Sequence, residues 1–148
     1  HSKDPRKPFM KQLIKDIPDH ACLVVYNARF ESGILANLGR TFPEFNTPLV
    51  SFQNNMVDLM LPFKHKQLYS HKMKGSYSIK AVLPTLVPEL SYDTLDISKG
   101  DSASRTYMAL HKENDRDTIQ KTRQQLLDYC ELDTLAMVKI IEKLRRLI

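Results

Sequence analysis

Apolar residues recur at helical spacing in three parts of the chain, and this pattern predicts its main helices. They cover residues 5–17, about 30–42 and about 118–147, and the last helix is the longest. The buried side of that last helix is expected to hold most of its apolar residues: Leu126, Leu127, Cys130, Met137, Ile140, Ile141 and Leu144.

Two shorter helices are predicted between residue 78 and the longest helix. The first covers residues 79–87, with Ser78 as its N-cap and Pro84 as one of the residues that limit it. The second runs from residue 101 to about residue 112 and is expected to be capped by Asp101 or by the serine that follows it.

Shorter apolar runs predict the strands. Residues 21–26 form a continuous, valine-containing run that is typical of a strand buried on both faces. A further strand is possible at residues 49–52, and residues 56–63 fit either a strand or a turn of helix. Helices that alternate with strands predict an α/β fold, and residues 1–148 are the right length for a single domain.

Composition narrows the class of protein. Of the 148 residues, 42% are hydrophobic and 26% are charged, which is typical of a globular protein. The longest apolar run is far shorter than the roughly 20 residues that cross a bilayer, so we expect no contact with a membrane. Neither Cys22 nor Cys130 has a polar neighbourhood, and both are expected to be reduced core residues of a cytoplasmic protein.

The net charge of +5 comes from one segment of the chain. Residues 64–80, called the basic segment below, contain five lysines and no acidic residue: Lys64, Lys66, Lys72, Lys74 and Lys80. Histidines and tyrosines lie between these lysines, so the segment could neutralise phosphates and stack on unpaired bases. The alternative is an ordinary solvated loop, because the segment has no clear periodicity.

An acidic residue follows the predicted buried strand at residues 21–26. Glu31 lies where that strand gives way to a helix, at the edge of the sheet where open α/β folds place their ligands. The alternative is that Glu31 only complements the positive end of the helix dipole.

A second acidic residue interrupts an apolar face of the last helix. Tyr129 and Asp133 are four residues apart and therefore share one face of that helix. An aspartate on such a face is costly to bury unless it is paired or binds a metal ion. The alternatives are a ligand role and a hydrogen bond to a backbone group, with Tyr129 as a packing residue.

Together the two segments resemble motifs of the DEDD family of 3′–5′ exonucleases, which have a ribonuclease-H-like fold. The second motif of that family reads Asn-x-x-Phe-Asp after a buried strand, and residues 27–31 match it with Glu31 in place of aspartate. The third motif of the tyrosine subclass is Tyr-x-x-x-Asp on a late helix, which Tyr129 and Asp133 match. This resemblance implies a helix-rich α/β fold of which the chain would be the C-terminal part.

A closer resemblance, to an uncharacterised bacterial family of ribonuclease-H-like domains, extends over nearly the whole chain. In that family a glutamate at the second motif is usual, and the domain often follows a RecB-like nuclease domain in the same polypeptide. The runs that carry this resemblance are residues 4–6, 25–31, 75–80 and 128–134.

The resemblance implies a site with Mg²⁺ or Mn²⁺, in which Glu31 and Asp133 are metal ligands and Tyr129 orients the attacking water. Hydrolysis with two metal ions needs several carboxylates around ions roughly 3.5–4 Å apart. Asp58 matches an aspartate that recurs in relatives, and we prefer a supporting or structural role for it to metal ligation. Asn27, the first residue of the second motif, is also expected to have a supporting role.

The first motif of the exonuclease family, Asp-x-Glu on a strand, is absent from these residues. We expect it upstream of His1, so that the full-length protein is a metal-dependent 3′–5′ exonuclease acting on DNA or RNA and this chain alone is inactive. The main alternative is a non-catalytic module of the same fold that binds nucleic acid or protein. A third alternative is an unrelated α/β protein with coincidental motifs. A sheet edge left open by the missing strands would invite self-association.

Overall fold

The computed structural model of the chain describes residues 4–18 and 20–146. Their contacts divide the chain into two compact units, one within residues 1–67 and the other within residues 68–148. The described residues are mostly helical, with one parallel sheet of two strands, so the predicted helix-rich α/β class is confirmed. Leu147, the predicted end of the last helix, lies outside the described residues.

The first unit contains four helices and two strands among its described residues, together with a 3₁₀ turn at Pro43–Phe45. In chain order these elements are α1 (Arg6–Asp16), β1 (Leu23–Val25), α2 (Ala28–Thr41), α3 (Asn46–Asn54), β2 (Met56–Asp58) and α4 (Leu61–Lys64).

The second unit has no strand in its described part. It contains α5 (Ile79–Leu86), α6 (Gly100–Ala109) and α7 (Arg116–Arg145), with 3₁₀ turns at His71–Met73, Tyr92–Thr94 and Leu110–Lys112.

The sheet of the first unit pairs β1 with β2 in parallel. Val24 lies opposite Val57, and Val25 lies opposite Asp58. The strand predicted at residues 21–26 is therefore present, but it is shorter, and each of its three residues is only partly buried. In the described residues the sheet has no further strand, so β1 has one unpaired edge and cannot be enclosed as a central strand would be.

The core of the first unit lies between α1, α2 and α3. Its buried residues are Met10 on α1 and Leu49 and Phe52 on α3, and partly buried side chains of α1 and α2 pack against them. The strand predicted at residues 49–52 was wrong, because this segment lies within α3. Leu49 and Phe52 are three residues apart and face the core, whereas Val50 is exposed, which is helical and not strand periodicity.

Helices α2 and α3 approach each other closely at Gly39. A Cβ atom at this position would lie 2.6 Å from Oδ1 of Asn46, which is less than van der Waals contact allows. An added Cβ would require the exposed side chain of Asn46 to turn away, whereas the Cα atom of Asn46 would lie at an ordinary contact distance of 3.6 Å.

In the second unit, α5 and α6 both pack against α7. The buried residues of these helices include Val82 and Leu83 on α5, and Ala136 and Ile140 on α7. Leu127, predicted on the buried side of α7, is instead 59% exposed. It follows Leu126 by one residue and so points about 100° away from it around the helix.

The prediction that both cysteines are core residues was wrong. Cys22 and Cys130 are each exposed, and neither forms a disulfide. Cys130 follows Tyr129 by one residue on α7 and is therefore turned away from the stripe of the helix that packs inward. The apolar neighbours of a cysteine in sequence did not indicate its burial.

Helix ends agree with the predictions in part. Ser78 is the N-cap residue of α5, as predicted, although Pro84 lies inside that helix and does not end it. The N-cap residue of α6 is Lys99, so neither Asp101 nor its neighbouring serine caps this helix. Helix α7 begins earlier than predicted because the side chain of Asp115 caps it, accepting a hydrogen bond of 2.8 Å from the backbone N–H of Thr118.

Candidate functional site

Asp58 connects the end of β2 to the start of α2. Its Oδ1 accepts hydrogen bonds from the backbone N–H groups of Asn27 and Met60, and its Oδ2 accepts one from Ala28, each at 2.9 Å. Both oxygens are therefore used by backbone donors at a helix N-terminus, where a negative charge is favourable. The geometry gives Asp58 a structural function at the junction of strand and helix.

The residue before α2 has an unusual backbone conformation. Asn27 has a φ of 78°, in the left-handed region that asparagine tolerates better than most residues, and its side chain makes no cap hydrogen bond. Asp58 supplies the cap that Asn27 does not, from a neighbouring strand. The asparagine of the predicted second motif thus shapes the turn from β1 into α2.

Two further side chains of this junction are partly buried. Burial raises the pKa of the Tyr26 hydroxyl, and the charge of Asp58 raises it further. Glu31 lies in the first turn of α2, where the helix dipole favours an acid, and its side chain is neither fully exposed nor fully buried. This is the position that the sequence predicted for Glu31, at the C-terminal end of β1.

On α7, Tyr129 and Asp133 lie on the same stripe as the buried residues Ala136 and Ile140, as their spacing predicts. Asp133 accepts a hydrogen bond of 2.5 Å at Oδ1 from the hydroxyl of Tyr92. Tyr92 is only 3% exposed. A side chain far away in sequence therefore satisfies this acid, which was expected to need either a metal ion or a backbone donor.

Lys80 completes this arrangement in the second unit. Its Nζ donates a hydrogen bond to the carbonyl oxygen of Ser98 and lies 5.2 Å from the ring centroid of Tyr92 and 5.4 Å from that of Tyr129. The two rings are 6.1 Å apart and inclined by 56°. We call Lys80, Tyr92, Tyr129 and Asp133 the lysine–tyrosine cluster.

The environment of the lysine–tyrosine cluster keeps the hydroxyl of Tyr129 and the thiol of the adjacent Cys130 protonated. Burial raises the pKa of Tyr129 to about 12, and the charge and hydrogen bonding of Asp133 contribute to the increase. Burial and the same carboxylate raise the pKa of the Cys130 thiol. At neutral pH Tyr129 is therefore a phenol that can donate a hydrogen bond, and Cys130 is a thiol and not a nucleophilic thiolate.

The lysines of the basic segment differ in their environments. Four of them are exposed: Lys64 and Lys66 in the first unit, and Lys72 and Lys74 in the second. Lys80 is the exception, being partly buried in the first turn of α5. Tyr69 and Tyr77 are 54% and 44% exposed, so aromatic rings accompany the exposed lysines as the sequence indicated.

The described residues do not by themselves form a metal centre. Both oxygens of Asp58 already accept backbone hydrogen bonds. Across residues 4–18 and 20–146, no three histidine, cysteine, aspartate or glutamate side chains are grouped so that they could hold a metal ion. A two-metal site needs several carboxylates around its ions, and the described part of the chain does not group them in this way.

None of the helices in the described residues is long and apolar enough to cross a membrane.

Sequence reasoning missed Tyr92 and the contacts of Lys80 with Ser98 and two tyrosine rings. Tyr92 lies in an irregular acidic segment for which no periodicity predicts burial. The sequence held a weak signal for Lys80. A lysine in the first turn of a helix lies at the positive end of the helix dipole, so contacts outside the helix are expected to stabilise its charge.

Comparisons with known proteins identify a family for this chain, and the description of that family gives no activity. The family model described as "Domain of unknown function (DUF2779)" matches residues 1–78, slightly more than half of the chain. This region includes Asn27, Glu31, Asp58 and the exposed lysines, and it ends before α5. No curated protein matches the chain, and no solved structure matches it.

Proposed function

The chain belongs to the family described as a domain of unknown function (DUF2779), and we propose that it is part of a metal-dependent 3′–5′ exonuclease-like domain with a ribonuclease-H-like fold. Its substrate would be DNA or RNA. The observation that carries the proposal is that Tyr129 and Asp133 share the inward stripe of α7, with the carboxylate held by Tyr92. The position of Glu31 after β1 supports it.

In this proposal Glu31 and Asp133 are two of the ligands of Mg²⁺ or Mn²⁺. The remaining acids would come from an Asp-x-Glu motif, which is absent from this sequence, so the chain alone is expected to be inactive. The proposed enzyme acts in the cytoplasm, where its two free cysteines would stay reduced.

Tyr129 orients a reacting group and does not remove a proton. Its pKa of about 12 keeps the hydroxyl protonated at neutral pH, which makes it a hydrogen-bond donor. A donor at this place can direct a lone pair of a water molecule or an oxygen of a phosphate. A general base, in contrast, would need a pKa near the working pH.

The exposed part of the basic segment supports a nucleic-acid partner. Lys72 and Lys74 present free ammonium groups on the surface of the second unit, and Tyr69 and Tyr77 present rings beside them in sequence. Ammonium groups neutralise phosphates, and rings stack on unpaired bases. Further proposed partners are a RecB-like nuclease domain in the same polypeptide and a second copy of the chain at the free edge of β1.

The test uses the chain extended by its upstream segment. We expect release of nucleotides from the 3′ end of a labelled oligonucleotide with Mg²⁺ or Mn²⁺, and loss of at least about 100-fold of that release in Glu31→Gln and Asp133→Asn. Glu131→Gln is the matched control, because Glu131 is exposed on the same helix as Asp133. Equal activity of all three variants would refute the assignment of the acids.

The second candidate is a non-catalytic module that binds nucleic acid or protein. It is favoured by the observation that the described residues group no metal-binding side chains and that Asp58 is fully used by the backbone. If the extended chain binds an oligonucleotide equally well with and without EDTA and releases no nucleotide, this candidate replaces the first.

A further inference from the structure

Lys80 differs from the other lysines of the basic segment in its burial and in the contacts of its ammonium group. Its Nζ donates a hydrogen bond to the Ser98 carbonyl and lies close to two tyrosine rings, and the side chain is partly buried. Lys72 and Lys74 are exposed. An ammonium group engaged in this way has fewer donors left for a phosphate, because it has three in total.

The position of Lys80 in α5 has no local explanation. It is the second residue of that helix, where the dipole disfavours a positive charge. The Ser98 carbonyl and the faces of Tyr92 and Tyr129 supply the negative potential that offsets this. The side chain is therefore held by its contacts with the cluster and not by its helix.

We propose that Lys80 and Tyr92 are positioning residues for the Tyr129–Asp133 pair, and that Lys80 is not a phosphate contact. Tyr92 fixes the carboxylate of Asp133 by its 2.5 Å hydrogen bond. Lys80 lies against both rings and so holds the ring of Tyr129 relative to that of Tyr92. A catalytic role for the Tyr129–Asp133 pair depends on the proposed function, and in this respect the inference rests on it.

The hydrogen bond of Tyr92 has the form expected of a positioning contact. The tyrosine is buried, so its hydroxyl needs a partner, and Asp133 is an acid on a packing stripe, so its carboxylate needs a donor. Each group satisfies the other across 41 residues of sequence. The ring of Tyr129 then lies beside this bond, with the ammonium group of Lys80 close to its π face.

The first experiment measures the cluster without any substrate. In NMR spectra, the side-chain ε-CH₂ protons of Lys80 should be shifted upfield by the two rings relative to those of Lys72, and Tyr129→Leu should reduce that shift. Lys80→Met should move the ring signals of Tyr129, Lys80→Arg should restore them in large part, and Lys72→Met should leave them unchanged. An unshifted Lys80 signal, or Tyr129 signals that ignore Lys80→Met, would overturn the inference.

The second experiment separates positioning from phosphate binding. In the extended chain, Lys72→Met should reduce the salt slope of oligonucleotide binding by about 1, whereas Lys80→Met should leave it unchanged. Tyr92→Phe, which keeps the ring, should lower kcat about tenfold with KM unchanged, as expected for a lost orienting hydrogen bond. Equal effects of the two lysine substitutions on the salt slope would refute the inference.

These outcomes distinguish the inference from the proposed function. If the extended chain neither binds nucleic acid nor releases nucleotides, the proposed function fails, and the NMR spectra alone decide whether Lys80 and Tyr92 position the pair. If the chain is active but the Lys80 signals resemble those of an exposed lysine, the inference fails and the proposed function stands. Circular dichroism of each variant shows that it is folded, and Lys80→Arg gives a charged variant should Lys80→Met fail to fold.

Discussion

Removal of the Asp58 carboxylate tests the junction of β2 with α2. In the native structure three backbone N–H groups, of Asn27, Ala28 and Met60, donate to its two oxygens at 2.9 Å. Asp58→Ala leaves all three donors to water, and Asp58→Asn keeps one oxygen but replaces the other with a group that cannot accept. We therefore expect the free energy of unfolding to fall in the order aspartate, asparagine, alanine.

The magnitude follows from the contacts that are lost. Loss of a side-chain cap costs about 0.5–2 kcal/mol, and loss of the further bond to Met60 costs about 1 kcal/mol. Asp58 is only partly buried, so water will replace some of these bonds. We expect a decrease of about 2 kcal/mol for Asp58→Ala and about half of that for Asp58→Asn, a difference that urea unfolding resolves.

The assay is urea unfolding followed by circular dichroism, with amide hydrogen exchange as a local measure. In Asp58→Ala the amide protons of Asn27 and Ala28 should exchange faster than in the parent, because they have lost their acceptor. The control is Asp16→Ala, since Asp16 is exposed in the same unit and accepts one side-chain bond from Gln12. A loss of stability below about 0.5 kcal/mol in Asp58→Ala, or one equal to that of the control, would refute the reasoning.

Four further substitutions test other parts of the structure. Asp133→Asn should lower the pKa of Tyr129 from about 12, because the carboxylate helps to raise it, and ultraviolet titration against Tyr129→Phe would measure the change. The free energy of unfolding of the parent should fall as the pH rises from about 10 towards the pKa of Tyr129, because the unfolded chain releases the tyrosine proton first. Asp133→Asn should weaken this fall. Equal dependence of stability on alkaline pH in the parent and the variant would contradict the effect of Asp133 on Tyr129. Gly75→Ala should cost about 1 kcal/mol at its φ of 78°. Gly33→Ala, in the middle of α2 with open space around it, should stabilise by up to about 1 kcal/mol. Effects of the same sign in thermal unfolding would contradict one of these two expectations. Gly39→Ala should change the free energy of unfolding by less than about 1 kcal/mol, because the one short approach of its Cβ, at 2.6 Å, is to Oδ1 of Asn46, the end of an exposed side chain that can turn away. A loss of more than about 2 kcal/mol in thermal unfolding would mean that this side chain cannot do so.

The long helices were predictable because their signals agree with one another. Helices α1, α2 and α7 each have helical apolar spacing, and their observed bounds lie within a few residues of the predicted ones. The strand predicted at residues 49–52 failed because four residues are too few to separate a period of two from a period of 3.6. Pro48, in the first turn of α3, was the available signal, since proline is well tolerated at the start of a helix.

The positions of the candidate residues were predictable where they depend on the local sequence. Glu31 was located from its place after a strand, and the pair on α7 from its spacing, and the structure places them on α2 and α7. Tyr92 could not be found in this way, because its bond to Asp133 joins residues 41 positions apart. The same holds for Asp58, whose hydrogen bonds to the start of α2 depend on the pairing of β1 with β2.

The lysines of the basic segment differ in exposure according to whether they lie before or inside α5. Its lysines are equivalent in sequence, yet the one that lies inside α5 is turned towards two rings and a carbonyl, and the remaining four are exposed. Only exposed lysines can release counterions from a nucleic acid, at about 0.7 per phosphate on a single strand. The salt slope of the parent should therefore not exceed about 3 from this segment. In our proposal Lys80 instead positions the ring of Tyr129 in the Tyr129–Asp133 pair. One of the five lysines that give the chain its positive charge would then support the proposed catalytic pair and not the binding of nucleic acid.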